Sequence, residues 1–384
     1  MSNRISRREL GLAAMAGTAM AQSDVAAKHG GALDGFEGRV DMGEFDPVGW
    51  SRERYKAAPL RLAFRAKERK DAEKWQKKLR EKVRELLGGF PQSRGPLKAT
   101  TLESRDFPAY RRERFVFESR PGVGVLAFLI TPTQVKAPLA TVICVPGHGR
   151  GVEDIVGIDE AGRDRTDRPG YQHDFALQVV EHGMAALAIE PLAFGCRRDP
   201  VTRKKGLGST ACYPAAGAAL LFGETMIGWR AWDVMRAIDW IATRPELDAR
   251  RVGCMGISGG GTCTLFAAAL DTRIKAAFVS GYLNTFRDSI LSLSHCIDNY
   301  VPGILNWAEM CDVAGLIAPR ALFSEGGDRD PIFPVAATKE SFERVRKMYE
   351  VFGAGGAVEQ EIFSGVHEFH GERGLPFLAK ALGA

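Results

Sequence analysis

Long apolar runs are absent. No stretch of 18 uncharged apolar residues occurs in the 384-residue chain, so hydropathy gives no membrane-spanning helix. Cysteine is sparse, with seven residues and no C-x-x-C pair. An odd count in so long a chain is no disulfide framework, and the missing pair argues against a zinc ribbon. Cys144 and Cys254 sit in apolar runs and read as small buried hydrophobes; Cys196 and Cys212 flank a loop-like segment and could pair. Internal repeats, low-complexity tracts and a sustained heptad are missing, which excludes solenoid and coiled-coil readings. A strong excess of one charge is missing too. The formal net charge is +5, and part of it sits in the first 21 residues, where Arg4, Arg7 and Arg8 face only Glu9. That bias is too weak to argue for nucleic acid or an anionic membrane as partner.

What is present reads as globular. Hydrophobic residues make up 45% and charged residues 26%, enough to bury a large core and to exclude disorder as the main state. The N-terminus carries a targeting pattern. Ser6-Arg7-Arg8-Glu9-Leu10-Gly11-Leu12 resembles a twin-arginine export motif, an uncharged stretch runs to Ala21, and Ala19-Met20-Ala21 fits a small-x-small cleavage site. Residues 1–21 therefore read as a signal peptide, and the mature protein is expected to be periplasmic or extracellular.

Residues 22–111 read as an N-terminal extension and 112–384 as the catalytic domain. Residues 22–60 are rich in Gly, Asp and Pro and are expected to wrap the surface. Within 65–87, Ala72, Trp75, Leu79, Val83 and Leu86 recur at helical spacing, opposite a face of Lys and Arg. Gly88-Gly89 and Pro91 end that helix. Its basic face fits a solvated surface better than a membrane contact. Strands are predicted at 114–120, 123–131, 139–145, 184–190, 252–257, 274–280, 321–325 and 358–363, and helices at 174–183, 224–243, 262–270 and 339–352. Strands alternating with helices imply a mostly parallel central sheet sandwiched by helices, an α/β fold. In such sheets the chemistry lies beyond the carboxyl ends of the strands.

Gly256-Ile257-Ser258-Gly259-Gly260 matches G-x-S-x-G between a buried strand and a helix, which is the context of a nucleophile elbow. A serine at its ordinary pKa is a weak nucleophile and needs a base, and the base needs an orienting acid. In this fold the chain order is Ser, acid, His. Asp330 follows the predicted strand 321–325 and precedes a proline, and it is the candidate acid; Asp328 is the alternative. His367, after the last strand, is the candidate base; His370 is the alternative. His29, His148, His173, His182 and His295 precede the acid and mostly read as surface or structural. Oxyanion donors are expected from the Gly259 amide and from the glycine-rich loop Pro146-Gly147-His148-Gly149-Arg150-Gly151, with the His148 amide first and Gly149 second. No metal or organic cofactor is required, and His148 has no partner histidine at ligand spacing.

These residues resemble an α/β-hydrolase of the dienelactone hydrolase superfamily, in its exported acetyl-xylan-esterase-like branch. The resemblance covers roughly residues 65–375. It rests on Glu85–Pro91, on Gly147-His148-Gly149, on Gly228–Asp233 and on Arg244-Pro245-Glu246. It continues through Arg251-Val252-Gly253, Gly256–Gly261, Ser280–Leu283, His295–Gly303 and Ile317–Arg320. It implies an α/β-hydrolase fold with Ser258 as nucleophile, Asp330 as acid and His367 as base, acting on a small-molecule or carbohydrate ester, acetyl first. Pro146 stands where relatives tend to have His. The stretch 196–217 matches poorly and is expected to shape the substrate pocket. Trp229, Tyr282, Tyr300 and Trp307 are candidate sugar platforms, although each residue type is more often core. A serine peptidase of prolyl-oligopeptidase type is the chemical alternative; only about 90 residues of mature chain precede the first predicted strand, too few for the propeller of such enzymes. A non-catalytic binding protein on a hydrolase scaffold is the alternative from another class.

Overall fold

The protein is described from a computed structural model covering residues 31–384. The signal-peptide reading of residues 1–21 lies outside the described residues, as does His29. The chain divides at Lys56 into two units. In the first, the described residues hold two short 3-10 turns and helix α1 (Pro47–Lys56), which has no buried residue.

The second unit, Ala57–Ala384, opens on helix α2 (Arg69–Leu86). The predicted stripe is its buried face: Ala72, Trp75, Leu79 and Val83 are buried, joined by Gln76. The Trp75 indole N–H donates to the Leu62 carbonyl, and Gln76 Nε2 donates to the carbonyls of Gly315 and Ala318. The opposite, basic face is laced by short-range pairs such as Lys74–Asp71, each worth only a few tenths of a kcal/mol. Gly88, with φ of 92°, ends the helix where a side chain would strike Glu224.

A nine-stranded sheet follows. Its strands are β1 (Thr100–Asp106), β2 (Tyr110–Arg120), β3 (Val123–Pro132), β4 (Leu139–Val145), β5 (Ala185–Ile189), β6 (Leu247–Ile257), β7 (Ile274–Ser280), β8 (Ala321–Gly327) and β9 (Val358–Phe363). Their order across the sheet is β1-β2-β3-β5-β4-β6-β7-β8-β9. The first three strands are antiparallel to their neighbours and the remainder are parallel. The sheet thus begins before residue 112, because the exposed edge strand β1 (TTLESRD) carries no apolar alternation to betray it.

Strand β4 shows how the core divides. All seven residues are buried, yet they alternate between two clusters: Leu139, Ile143 and Val145 pack on one face, Ala140, Val142 and Cys144 on the other. Each fully buried Val, Leu or Ile contributes on the order of 1.5–3 kcal/mol. The first face is covered by α2 and by α6 (Met226–Ile241), α7 (Gly259–Leu270), α8 (Met310–Gly315) and α9 (Val335–Val351). The second is covered by α3 (Phe175–Glu181) and α10 (Gly374–Leu382). Two further helices, α4 (Pro200–Arg203) and α5 (Cys212–Leu221), lie in the segment between β5 and α6. Because β4, β6, β7, β8 and β9 run parallel as neighbours, their carboxyl ends share one edge of the sheet.

Candidate active site

Ser258 is the residue between β6 and α7. Its backbone is strained, with φ of 57° and ψ of −121°. A non-glycine residue holds positive φ only where its surroundings enforce it. Here the Ser258 N–H donates to the Ser280 carbonyl at 3.1 Å, and its carbonyl accepts from the Thr262 N–H at 2.9 Å. The flanking glycines follow from crowding. A Cβ on Gly256 would lie 2.5 Å from the Val145 carbonyl oxygen, and one on Gly260 would overlap that same atom outright. The sharp strand-to-helix turn therefore packs directly on the end of β4.

Past the end of β8, Asp330 sits in a turn built around its own carboxylate. Oδ1 accepts from the Ile332 N–H at 2.8 Å and the Phe333 N–H at 3.0 Å. That leaves Oδ2 aimed at His367, whose Nδ1–H donates to it at 2.7 Å. The Asp330 carboxylate is almost wholly withdrawn from solvent. The imidazole is held between the rings of Tyr171 and Phe333, with centroids 5.7 Å and 5.6 Å away, and its edge rests against Gly281. Its Nε2 is buried and has no hydrogen-bond partner. An imidazole whose Nδ1–H is tied to a carboxylate and whose Nε2 is unpartnered has the tautomer that a general base requires.

The alternatives sit elsewhere. Asp328 pairs with Arg329 at 3.2 Å and accepts the Gly365 N–H at 3.0 Å, so it clamps two loops together. His370 lies 3.5 Å from Glu361 and stacks on Phe363. His173 and His182 each bond a nearby backbone carbonyl, and His295 bonds Ser289 Oγ at 2.8 Å.

The loop after β4 is fixed from below. The Gly147 N–H donates to Gln172 Oε1 at 2.8 Å, and the Tyr171 hydroxyl donates to the His148 carbonyl at 2.7 Å. A Cβ on Gly147 would come 3.2 Å from Ser258 Cβ, so the loop lies directly against the elbow. Among the described residues, neither the His148 N–H nor the Gly259 N–H donates a hydrogen bond within the chain. Tyr171 touches both this loop and His367. Nothing in its sequence neighbourhood singles it out.

A second group, unanticipated from the sequence, adjoins the elbow. His148 Nε2 lies 3.4 Å from Asp298 Oδ2 and 3.8 Å from Cys212 Sγ. Together with Cys296, these side chains bring four ligand-type atoms within 4.8 Å of one another. The buried Arg230 guanidinium reaches Asp298 Oδ2 at 2.5 Å and Cys212 Sγ at 3.4 Å. His148, Cys212 and the Cys296-Ile297-Asp298 stretch lie far apart in the chain, which is why spacing did not reveal the group. The Cys196–Cys212 pairing is not formed: both sulfurs are thiols, with Cys196 exposed and Cys212 buried. The segment 196–217 supplies Cys212 to this group. Of the candidate sugar platforms, Tyr282 is buried, Trp307 is covered by Lys82 and Arg61, and Trp229 bonds Glu224. Tyr300 is exposed at 41%.

Two buried acids support the loops. Glu325, at the end of β8, accepts from Ser280 Oγ at 2.7 Å and from the His370 and Gly371 N–H groups at 3.0 and 2.9 Å; burial pushes its pKa up to about 7. Glu190, after β5, accepts the Val152 N–H at 3.2 Å, and burial pushes it up to about 8.

Known proteins share this architecture. A Bacteroides fragilis protein assigned as an acetyl xylan esterase superposes with a TM-score of 0.69 at 22% identity, over 83% of this chain and 82% of its own. A glucuronoyl esterase from Solibacter usitatus superposes with a TM-score of 0.61 at 17% identity, over 85% and 97%. In sequence, the chain is 25% identical over 284 residues to YtaP of Bacillus subtilis (strain 168), classed as a hydrolase, covering 72% of this chain and 88% of that one. The model of the Abhydrolase family matches residues 52–361, which take in strands β1 to β8, the start of β9, the elbow and the Asp330 turn. With an α/β sheet of this order and a G-x-S-x-G turn at its centre, the chain belongs to the Abhydrolase family.

Proposed function

We propose that the protein is a serine-dependent ester hydrolase acting on acylated carbohydrate, acetyl groups first. The observation that carries this reading is the convergence, on one sheet edge, of a strained Ser258 and the Asp330–His367 pair, whose second ring nitrogen is buried without a hydrogen-bond partner. His367 Nε2 takes the Ser258 hydroxyl proton as Oγ attacks the ester carbonyl. Asp330 holds the imidazole in the Nδ1–H tautomer and stabilises the imidazolium. The Gly259 and His148 N–H groups receive the oxyanion. His367 then protonates the departing alcohol, and water, activated by the same imidazole, releases the acyl group from Ser258. The carbohydrate-ester part of the reading is supported by the names of the fold neighbours, an acetyl xylan esterase and a glucuronoyl esterase among them. Export through the Arg7-Arg8 signal belongs to the same reading, since polymeric substrates lie outside the cell.

The test is a substrate profile with a nucleophile control. Wild-type protein is expected to release acetate from acetylated xylan and to cleave p-nitrophenyl acetate, and Ser258→Ala to lose both by several orders of magnitude with an unchanged Tm. Cleavage of peptide substrates in preference to esters would favour the peptidase reading instead.

A further inference from the structure

We propose that Cys212 and Cys296 form a reversible dithiol–disulfide pair that clamps helix α5 to the 296–299 segment beside the elbow. The two Sγ atoms already lie within 4.8 Å of each other. A disulfide requires about 2.0 Å, so oxidation draws the two sulfurs together from the first residue of a helix and from the residue before a 3-10 turn. Cys212 is the first residue of α5, and Cys296 immediately precedes the 3-10 turn Ile297–Asn299. Neither sulfur is locked inside a regular strand.

The surroundings suit thiol chemistry. A hydrogen bond from Cys296, with help from His148 and the Arg230 guanidinium, holds the Cys212 thiol well below the ordinary thiol range. The same contact raises the Cys296 thiol. Cys296 is partly exposed and Cys212 is buried, so an incoming oxidant meets Cys296 first. A buried sulfur with thiolate character beside an accessible one is the arrangement of a resolving cysteine. The cluster is ill suited to a divalent cation, because Arg230 already supplies its positive charge, at 2.5 Å from Asp298 and 3.4 Å from Cys212.

The oxidant is a small disulfide such as oxidised glutathione. As the Cys296 proton passes to the Cys212 thiolate, the Cys296 sulfur attacks one glutathione sulfur, the glutathione S–S bond breaks, and the first glutathione departs as a thiolate that water protonates. Cys212 sulfur then attacks Cys296 sulfur, and the second glutathione departs carrying the Cys212 proton. The protein dithiol is oxidised, and one disulfide is reduced to two thiols. The clamp fixes the segment that presents Asp298 to His148 and Asn299 to Thr262 Oγ1 at the start of α7. Ser258 takes no part, so Ser258→Ala protein undergoes the same reaction whether or not the esterase reading holds.

The test is intact-mass and peptide mapping after oxidised glutathione, with dithiothreitol-treated protein as reference. Oxidised wild type is expected to lose two hydrogen masses and yield a peptide linking Cys212 to Cys296. Cys196→Ser should behave identically. Cys212→Ser should instead hold a stable glutathione adduct on Cys296. Both thiols remaining free, a linkage through Cys196, a stable adduct on Cys296 in wild type, or protection of both thiols by a retained zinc ion would each overturn the proposal.

Discussion

Asp330 and Asp328 stand two residues apart after one strand, and their surroundings separate them. Asp330 commits one oxygen to two backbone amides and the other to His367, while Asp328 bonds Arg329 and the Gly365 amide. Asp330→Asn is therefore expected to lower kcat by about 10⁴, as the loss of an orienting carboxylate does in such triads. Asp328→Asn should cost little turnover and some stability. His367→Ala should be about as damaging as Ser258→Ala, because members of a triad act as a unit, and His370→Ala should be mild. Steady-state ester hydrolysis by the five variants checks the set. A crippled Asp328→Asn beside a nearly normal Asp330→Asn would refute the assignment.

Among elements, the elbow is the most tightly determined. Gly260→Ala drives a methyl group into the Val145 carbonyl. Backbone cannot yield there as a flexible side chain would. The variant is expected to lose more than about 4 kcal/mol or fail to fold, measured by denaturant unfolding. Gly124→Ala, which meets nothing within 4 Å, is the control and should unfold near wild type.

How far such elements can be read from sequence depends on their burial pattern. Leu139–Val145 and Ile274–Ser280 have the boundaries that apolar runs between turn residues imply, and Val358–Phe363 (VEQEIF) also has its expected bounds. The elbow was legible for the same reason. Helix α5 was not: its sequence, CYPAAGAALL, is apolar all round, so no period marks a face. The pairing of Asp330 with His367 was legible from chain order and turn chemistry. Tyr171, Asp298 and Arg230 were not, because each acts through tertiary contacts with segments distant in sequence.

At the scale of the whole molecule, buried acids set a pH dependence. Glu190 titrates near 8 in the folded protein and near 4.5 when unfolded. Between those values the folded state binds more protons than the unfolded state, so stability falls as pH rises through that window and levels off above it. Glu190→Gln should flatten the decline of Tm from pH 5 to 8 and raise Tm by a few degrees at pH 8. Scanning calorimetry across that range checks it; a steeper decline in the variant would contradict the sign. Export is a property of the whole chain as well. Replacing Arg7 and Arg8 with Lys should trap full-length precursor in the cytoplasm, whereas unchanged secretion, or a mature N-terminus far from Gln22, would exclude the twin-arginine route.

The central claim is that Ser258 is an activated nucleophile. A fluorophosphonate reacts only with a serine whose proton is taken by a base and whose developing oxyanion is received. Mass mapping of the labelled protein is predicted to find one adduct, on the peptide carrying Ser258, and none in Ser258→Ala. No labelling of folded wild-type protein, or an adduct on another residue that survives Ser258→Ala, would contradict the account.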